Sequence, residues 1–173
     1  LLCFVSTRSY FETLGSVYCG KWRDGAVTDL ALQDRLSLKK LGRLVFDVEL
    51  SRDGEIAVFA DGTFSGGPVP DAADLRLARR DGAGYRYAPE DERRLAAVNT
   101  GDLEYAAALS PDGKVLAFTR ASKLGPVLQT SVWISRLGND GTFGPPQRIS
   151  AISGEAAEAP TFSPDGRALY YHV

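Results

Sequence analysis

Three aspartates recur in one short motif and are the first residues whose type and spacing suggest chemistry. Asp53, Asp112 and Asp165 each lie two positions after a serine and directly before a glycine. Carboxylates bind hard cations such as Ca²⁺, but these three occur once per long repeat, so we do not expect them to converge on one ion. The motif instead predicts a tight turn, in which aspartate bonds its own backbone and glycine takes a positive φ. The glycines of the three turns are Gly54, Gly113 and Gly166.

Acidic side chains also occur in two segments that lead into strands with small residues. One segment contains Asp102 and Glu104, and the other contains Glu155 and Glu158. If the two strands line a common central channel, these carboxylates would face its mouth. Carboxylates that face one channel raise each other's pKa and attract a cation or a basic partner. We predict a binding role for these four residues and for Lys123 in a nearby loop. The alternative is a set of ordinary solvated loops neutralised by neighbouring basic side chains.

Aromatic residues in long connections are a second group of candidate binding residues. Phe64 lies in the Gly/Pro-rich segment 61–70, and Tyr10 and Phe11 lie in the corresponding connection near the start of the chain. Segment 121–128 is expected to be the equivalent loop later in the chain. Long loops on a rigid scaffold commonly hold recognition residues. We predict contacts with a partner for the three rings; packing over their own strands is the alternative.

Several kinds of site have no support in the composition. With 20 basic and 22 acidic residues, the chain lacks the basic excess of a nucleic-acid binder. The only histidine, His172, is expected to be a packed or edge residue, and there is no Gly-x-Ser-x-Gly nucleophile motif. We therefore predict no catalytic residue, no metal and no cofactor within this chain. No apolar run approaches the ~20 residues that a membrane span needs.

The two cysteines, Cys3 and Cys19, flank a hairpin centred near Phe11 and are expected to be cross-strand neighbours. The sequence leaves two chemical states of this cysteine pair open. The residues form a disulfide if the protein is exported, and they are packed thiols if it stays in a reducing compartment.

The elements that must position these residues are indicated by an internal repeat. Ser51, Ser110 and Ser163 open the three turn motifs and lie 59 and 53 residues apart. Each turn has a short strand before it and an apolar or aromatic strand after it, which predicts a β-hairpin. Two further strands follow in each repeat. In the first complete repeat the last of them is expected to end near Arg94.

Four antiparallel strands in a repeat of roughly 40–60 residues indicate the blade of a β-propeller. The sequence therefore predicts an all-β protein, a β-propeller of four-stranded blades with about three blades present. The predicted division is a partial blade at 1–42, blades at 43–98 and 99–151, and a partial blade at 152–173. Ala106, Ala107 and Ala108 fit the crowded innermost strand, and a short helix is the alternative there.

The blade motifs resemble the TolB-like propeller repeat, a WD-repeat-like family with a Ser-Pro-Asp-Gly turn and an aromatic residue ending the next strand. Residues 158–171 match almost throughout, and residues 105–118 match well. Residues 46–59 are the weakest copy, with Arg52 in place of proline. The acidic residue that the family usually has five positions before the serine is replaced twice in this chain. The replacements are Phe46 and Tyr105.

The resemblance implies a fold more specifically than it implies a function. Such blades occur in periplasmic binding proteins, in the gating domains of prolyl-oligopeptidase-like enzymes and in a few lyases. We expect a non-catalytic scaffold for a protein or peptide partner. The alternatives are the substrate-gating propeller of a serine hydrolase, with its catalytic domain outside this chain, and a carbohydrate-active propeller enzyme.

Three expectations concern the whole protein. The chain has no methionine and opens directly on a strand-like run, so we expect the native start to lie upstream. A partial ring also leaves strand edges exposed, so further blades or a homodimer would be needed to complete it. A periplasmic or extracellular location is implied by the family resemblance only.

Overall fold

The structure is a computed structural model that describes residues 1–124, 127–152 and 156–173. Strands hold 52% of the residues and helices 10%, which confirms the prediction of an all-β protein. The only α-helix among the described residues is one turn, α1 (Tyr10–Thr13). Short 3-10 helices lie at Asp34–Leu36, Pro89–Leu95 and Ser150–Ile152. Within the described ranges, no helix combines the length and the apolar character that crossing a membrane requires.

The strands form four antiparallel groups in chain order, here called sheets I to IV. The strands of sheet I are β1 (Leu2–Val5), β2 (Val17–Arg23) and β3 (Ala26–Leu32). The strands of sheet II are β4 (Arg43–Leu50), β5 (Ile56–Thr63), β6 (Ala72–Asp81) and β7 (Gly84–Tyr87). The strands of sheet III are β8 (Leu103–Leu109), β9 (Val115–Leu124), β10 (Val127–Arg136) and β11 (Gln147–Arg148). Sheet IV has β12 (Glu158–Phe162) and β13 (Leu169–His172).

Sheets II and III are joined only at one point. A single parallel bridge pairs Ala73 of β6 with Leu103 of β8, and no longer ladder connects the two sheets in the described part of the chain. The parallel direction follows from the chain path, because β8 starts a new antiparallel meander. The chain therefore builds separate four-stranded units and not one continuous antiparallel sheet.

Each repeated turn joins two strands of one sheet, so the predicted hairpins are confirmed. In the turn of sheet III, the Ser110 hydroxyl donates to Asp112 Oδ1 (2.6 Å) and accepts from the Val115 N–H (2.9 Å). The turns that start at Ser51 and Ser163 have the same bonds at the same distances. Positive φ angles of 70–72° at the three turn glycines explain why each motif ends in glycine.

The sheets stack face to face, and the alternation of side chains along β5 shows how. Ala57 and Phe59 pack in the cluster that contains Val17 and Cys19 of sheet I. Val58 and Ala60 point to the other side and pack in the cluster that contains Leu116 and Phe118 of sheet III, among other residues. Because successive residues of a strand face opposite sides, a strand buried throughout must lie between two packed layers.

Two local expectations were wrong. The segment that ends near Arg94 forms a 3-10 helix at Pro89–Leu95, and the strand before it is the shorter β7. Pro89 begins this helix because its fixed φ suits a first helical position. Segment 121–128 was expected to be a loop, but β9 and β10 extend into it as paired hairpin arms. The alanines 106–108 lie in β8, so the short-helix alternative does not hold.

The cysteines are cross-strand partners, as expected, and form a disulfide. Cys3 of β1 pairs directly with Cys19 of β2, and their Cα atoms are 4.1 Å apart. Cys19 is buried against sheet II, so the disulfide lies at the packed side of sheet I. It links the neighbouring strands β1 and β2 within sheet I.

Candidate functional site

The longer connections between strands gather at one end of the stacked sheets, which we call the loop end. It contains α1, segment 37–42, segment 64–71, the end of β9 and the start of β10. Three hydrogen bonds connect these segments in sequence. Tyr10 Oη donates to the Arg43 carbonyl (2.7 Å), the Phe64 N–H donates to the Gly42 carbonyl (2.7 Å), and Lys123 Nζ donates to the Asp71 carbonyl (3.3 Å).

The loop end carries exposed apolar side chains. Phe11 is 86% exposed, Leu41 is 68% exposed and Val127 is 61% exposed. We define the loop-end apolar surface by six residues: Phe11, Leu38, Leu41, Val69, Val127 and Leu128. The other large apolar side chains that are exposed belong to sheets I and IV or flank their strands. Those residues are Leu1, Leu2, Phe4, Trp22, Leu30, Tyr170 and Val173.

A buried ion pair network lies beneath the loop end in sheet II. Asp61, near the end of β5, is almost fully buried and accepts from Arg43 Nη2 (2.5 Å) and Arg76 Nε (2.8 Å). Arg76 also donates to Tyr87 Oη (2.7 Å) and pairs with Glu92. Burial, followed by the hydrogen bond to Glu92, raises the pKa of Tyr87 to about 12. The network fixes the strand ends from which segments 37–42 and 64–71 project.

A second buried pair occupies the matching place in sheet III, with the signs reversed. Arg120, like Asp61, lies ten positions after its turn serine, and its Nε donates to Glu104 Oε1 (2.8 Å). Its guanidinium also donates to the Val98 carbonyl and lies over the Trp133 ring, with Cζ 4.5 Å from the centroid. Glu104 further accepts from the Thr100 hydroxyl and N–H. Burial raises the pKa of Glu104, while the bonds from Thr100 and Arg120 oppose that shift.

The structure does not bring the predicted acidic residues together at one channel mouth. Glu104 is 0% exposed and forms an ion pair with Arg120, so it lies inside the protein. Asp102 is half-buried and accepts from the Ser122 hydroxyl (2.8 Å). Glu158 accepts from Tyr105 Oη (2.8 Å), which links sheets III and IV. Glu155 lies outside the described residues.

The predicted aromatic residues and Lys123 do lie at the loop end, in different surroundings. Phe11 is exposed and contacts the Tyr10 ring, with centroids 5.6 Å apart. Tyr10 is half-buried and bonded to Arg43. Phe64 packs edge-on against Phe46, with ring centroids 5.8 Å apart. This ring therefore packs over its own strands, the alternative to a partner contact. Lys123 is exposed and bonded to backbone carbonyls of segment 64–71.

Sequence reasoning missed most of the loop-end apolar surface. Leu41 and Val69 each adjoin a glycine or proline in a connection, where an apolar side chain has no strand partner, and Val127 follows a proline in the sequence at the start of β10. That neighbourhood was the available signal. Expectations based on aromatic and charged side chains do not include these aliphatic residues.

A pair of carboxylates on β4 was also missed. Asp47 and Glu49 are two positions apart in one strand, so they share a face. Asp47 accepts hydrogen bonds from the backbone of Ala106 and Ala107 in β8, although burial, the larger effect, raises its pKa. Burial, followed by repulsion from Asp47, raises the pKa of Glu49 to about 7. The hydrogen bonds of Asp47 connect β4 of sheet II with β8 of sheet III.

The three turn aspartates stay within their own turns. Each accepts from its serine hydroxyl and from the N–H two residues further on. Among residues 1–124, 127–152 and 156–173, no group of three or more His, Cys, Asp or Glu side chains is arranged to hold a metal ion. His172 is exposed on β13 and lies opposite Glu158 in the strand register.

No protein-family model and no curated protein matches the chain. Two solved structures resemble its backbone. One is a prolyl endopeptidase, with a TM-score of 0.49 and 16% identity, covering 91% of this chain and 22% of the endopeptidase. The other is a puromycin hydrolase, with a TM-score of 0.48 and 19% identity, covering 90% of this chain and 23% of the hydrolase. The chain thus spans less than a quarter of the length of either structure that it matches.

Proposed function

We propose that the chain is an arc of a TolB-like β-propeller whose loop end binds a protein or peptide partner. The observation that carries the proposal is the loop-end apolar surface. Its residues lie in connections or at the start of β10, and buried ion pairs lie in the sheets that carry them. Exposed apolar side chains on a rigid base are typical of interaction sites, because contact with a partner removes them from water at little ordering cost.

The stacking of the sheets supports the propeller arrangement. Propeller blades are four-stranded antiparallel sheets packed face to face around an axis, and strand β5 is buried between two such layers. The Arg52 guanidinium also donates to the Pro164 carbonyl (3.2 Å), so the turn of sheet II reaches the turn of sheet IV. Such a contact is expected when the turns of successive blades converge near a common axis.

The outer faces of sheets I and IV support the idea of an arc. Their exposed apolar residues, which include Trp22, Leu30 and Tyr170, are typical of sheet faces that pack against a further blade. We propose that these faces are covered in the working protein, by further blades of a longer chain or by a second copy of this one.

The second candidate function is the substrate-gating propeller of a prolyl-oligopeptidase-like serine hydrolase. The Ser-Pro-Asp-Gly repeat favours it, since the repeat family that the chain resembles includes such gating domains. The likeness to the two hydrolase structures does not decide between the two functions, because a TM-score below 0.5 at 16–19% identity is too low.

Panning a random peptide library displayed on phage against the purified protein tests the scaffold function. Peptides selected on the wild type should bind at least about tenfold more weakly to a Phe11→Ser/Leu41→Ser variant, which loses two anchors of the surface. Trp22→Ser is the matched control, because Trp22 is also exposed but lies on sheet I. Peptides that bind the double variant as tightly as the wild type would count against the loop end.

The complete coding region separates the two candidate functions. If it adds an α/β-hydrolase segment with a Gly-x-Ser-x-Gly motif, its full product should react with a fluorophosphonate probe. Such labelling would favour the gating domain. A full product that is not labelled, with a loop end that still selects peptides, would favour the scaffold.

A further inference from the structure

A cavity of about 440 Å³ opens at the turn end, opposite the loop end, between sheets II and III. Its floor includes four apolar side chains: Ile56, Leu77, Leu109 and Phe143. Leu77 and Phe143 are almost fully buried, and Ile56 and Leu109 are half-buried. The volume is in the range that holds a small organic ligand. The loop-end function proposed above does not use this cavity.

Arg94 lines the cavity and has no carboxylate partner among the described residues. Its Nε donates to the Gly141 carbonyl (2.9 Å), which ties the 3-10 helix at Pro89–Leu95 to sheet III. No carboxylate of a described residue lies within 4.0 Å of its side-chain nitrogens. The nearby Asp91 is engaged by Arg79 through two hydrogen bonds. Burial, followed by the positive charge of Arg79, lowers the pKa of Arg94, and the charge of the nearby Asp91 opposes that shift.

A second guanidinium, Arg52, stands at the mouth of the same cavity. It is exposed, and its contact with the Pro164 carbonyl leaves it without a carboxylate within 4.0 Å in the described part of the chain. Two aspartates, Asp53 and Asp112, also line the mouth. The Oδ1 atom of each already accepts two hydrogen bonds within its turn. Both are exposed, whereas Arg94 is half-buried, so the charged side chain that lies deepest in the cavity is positive.

We propose that this cavity binds a carboxylate attached to a small apolar body. The carboxylate pairs with Arg94, because a guanidinium offers two parallel N–H donors that match two carboxylate oxygens. The apolar body packs on Ile56 and Leu109, and Arg52 closes the mouth. The two aspartates at the mouth disfavour a doubly charged phosphate relative to a single carboxylate.

Isothermal titration calorimetry with paired probes tests the proposal. Acetyl-Ala-Phe and phenylpropionate are compared with their amides, and benzyl phosphate is the third kind of probe. Each acid should bind at least about tenfold more tightly than its amide, since the amide lacks the charge that Arg94 requires. Tighter binding of the peptide than of phenylpropionate indicates that the natural ligand is the carboxyl terminus of a chain. Tighter binding of phenylpropionate indicates a free carboxylic acid, and either result supports the site.

Two variants and one control assign the binding to the cavity. Arg94→Gln should weaken acid binding at least about tenfold, and Arg52→Gln should weaken it severalfold. Arg93→Gln is the control, because Arg93 lies on the same 3-10 helix but does not line the cavity. If Arg94→Gln fails to fold after losing its bond to Gly141, Arg52→Gln still tests the site, since Arg52 is exposed.

Several results would overturn the proposal. These are equal binding of acid and amide, tighter binding of benzyl phosphate, no binding of any acid up to its solubility, or an equal loss in Arg93→Gln. Amide chemical-shift changes on adding acid should centre on the cavity residues. Changes centred on the loop end would also overturn it.

Discussion

Arg120 shows how single residues of this chain combine structural roles. Its guanidinium pairs with Glu104, donates to a backbone carbonyl and lies over Trp133. A buried charge is tolerated only when its bonds are satisfied, and removal of one partner leaves the other uncompensated. At the matching position of sheet II the same role falls to Asp61 with two arginines. The charge type differs between the repeats, but the need for a satisfied pair at the strand end does not.

Glu49 gives a pH prediction at the residue scale. Its pKa rises from an ordinary 4.5 to about 7 in the folded protein, first through burial and then through Asp47. The folded state therefore holds this proton more tightly than the unfolded state does. The stabilisation is complete below the ordinary pKa and is lost as the pH rises to about 7.

Glu49→Gln should therefore gain stability relative to the wild type as the pH is raised. Between about pH 5 and pH 8 the difference in unfolding free energy should move in favour of the variant by about 1 kcal/mol, allowing for partial exposure. Urea denaturation at the two pH values measures it. Glu55→Gln, on an exposed turn, gives the background for losing one carboxylate. A wild-type minus variant difference that stays constant with pH would show that the Glu49 carboxyl is not perturbed.

At the scale of elements, the repeated turn is the unit that organises each sheet. One serine hydroxyl connects the aspartate of the turn with the first N–H of the next strand, and glycine supplies the positive φ. The turn at Ser51 keeps all of these bonds although Arg52 replaces proline. Proline is therefore dispensable for the turn, while the serine and aspartate make its hydrogen bonds.

Ser110→Ala should destabilise the protein by about 1–2 kcal/mol. The substitution removes two hydrogen bonds and leaves the Val115 N–H without its acceptor. Thermal and urea denaturation measure the loss. Ser65→Ala, in the exposed segment 64–71, is the control and should change stability by less than about 0.5 kcal/mol. Equal stability of the two variants would mean that the serine does not stabilise the turn.

For the whole molecule, stability should be greatest in the middle of the stack. Strand β5 is paired on both edges and buried on both faces, whereas β3 is an edge strand with an exposed surface. Local opening needs the least free energy where few contacts are lost. We therefore expect the outer sheets of the stack to open locally before the inner ones.

Amide hydrogen exchange measures this gradient without any substitution. Amides of residues 57–60 should exchange only through global unfolding, and amides of β3 should exchange orders of magnitude faster through local opening. The β3 amides that are hydrogen-bonded to β2 serve as the internal comparison, because they too lie in a paired strand. Equal protection of β3 and β5 would contradict the layered arrangement.

The sequence by itself determined the local structure of this protein. Alternating apolar residues and the Ser-x-Asp-Gly turns depend on neighbours within a few positions, so strands, hairpins and their order could be predicted. Local rules failed at Pro89–Leu95, where proline and the contact with sheet III favour a 3-10 helix. Only the tertiary structure decided which side chains meet across sheets. The burial of Glu104 against Arg120, the exposure of the six apolar residues of the loop end and the bond of Arg94 to Gly141 all depend on segments distant in sequence. Packing between layers brings those segments together, and no short stretch of sequence encodes it.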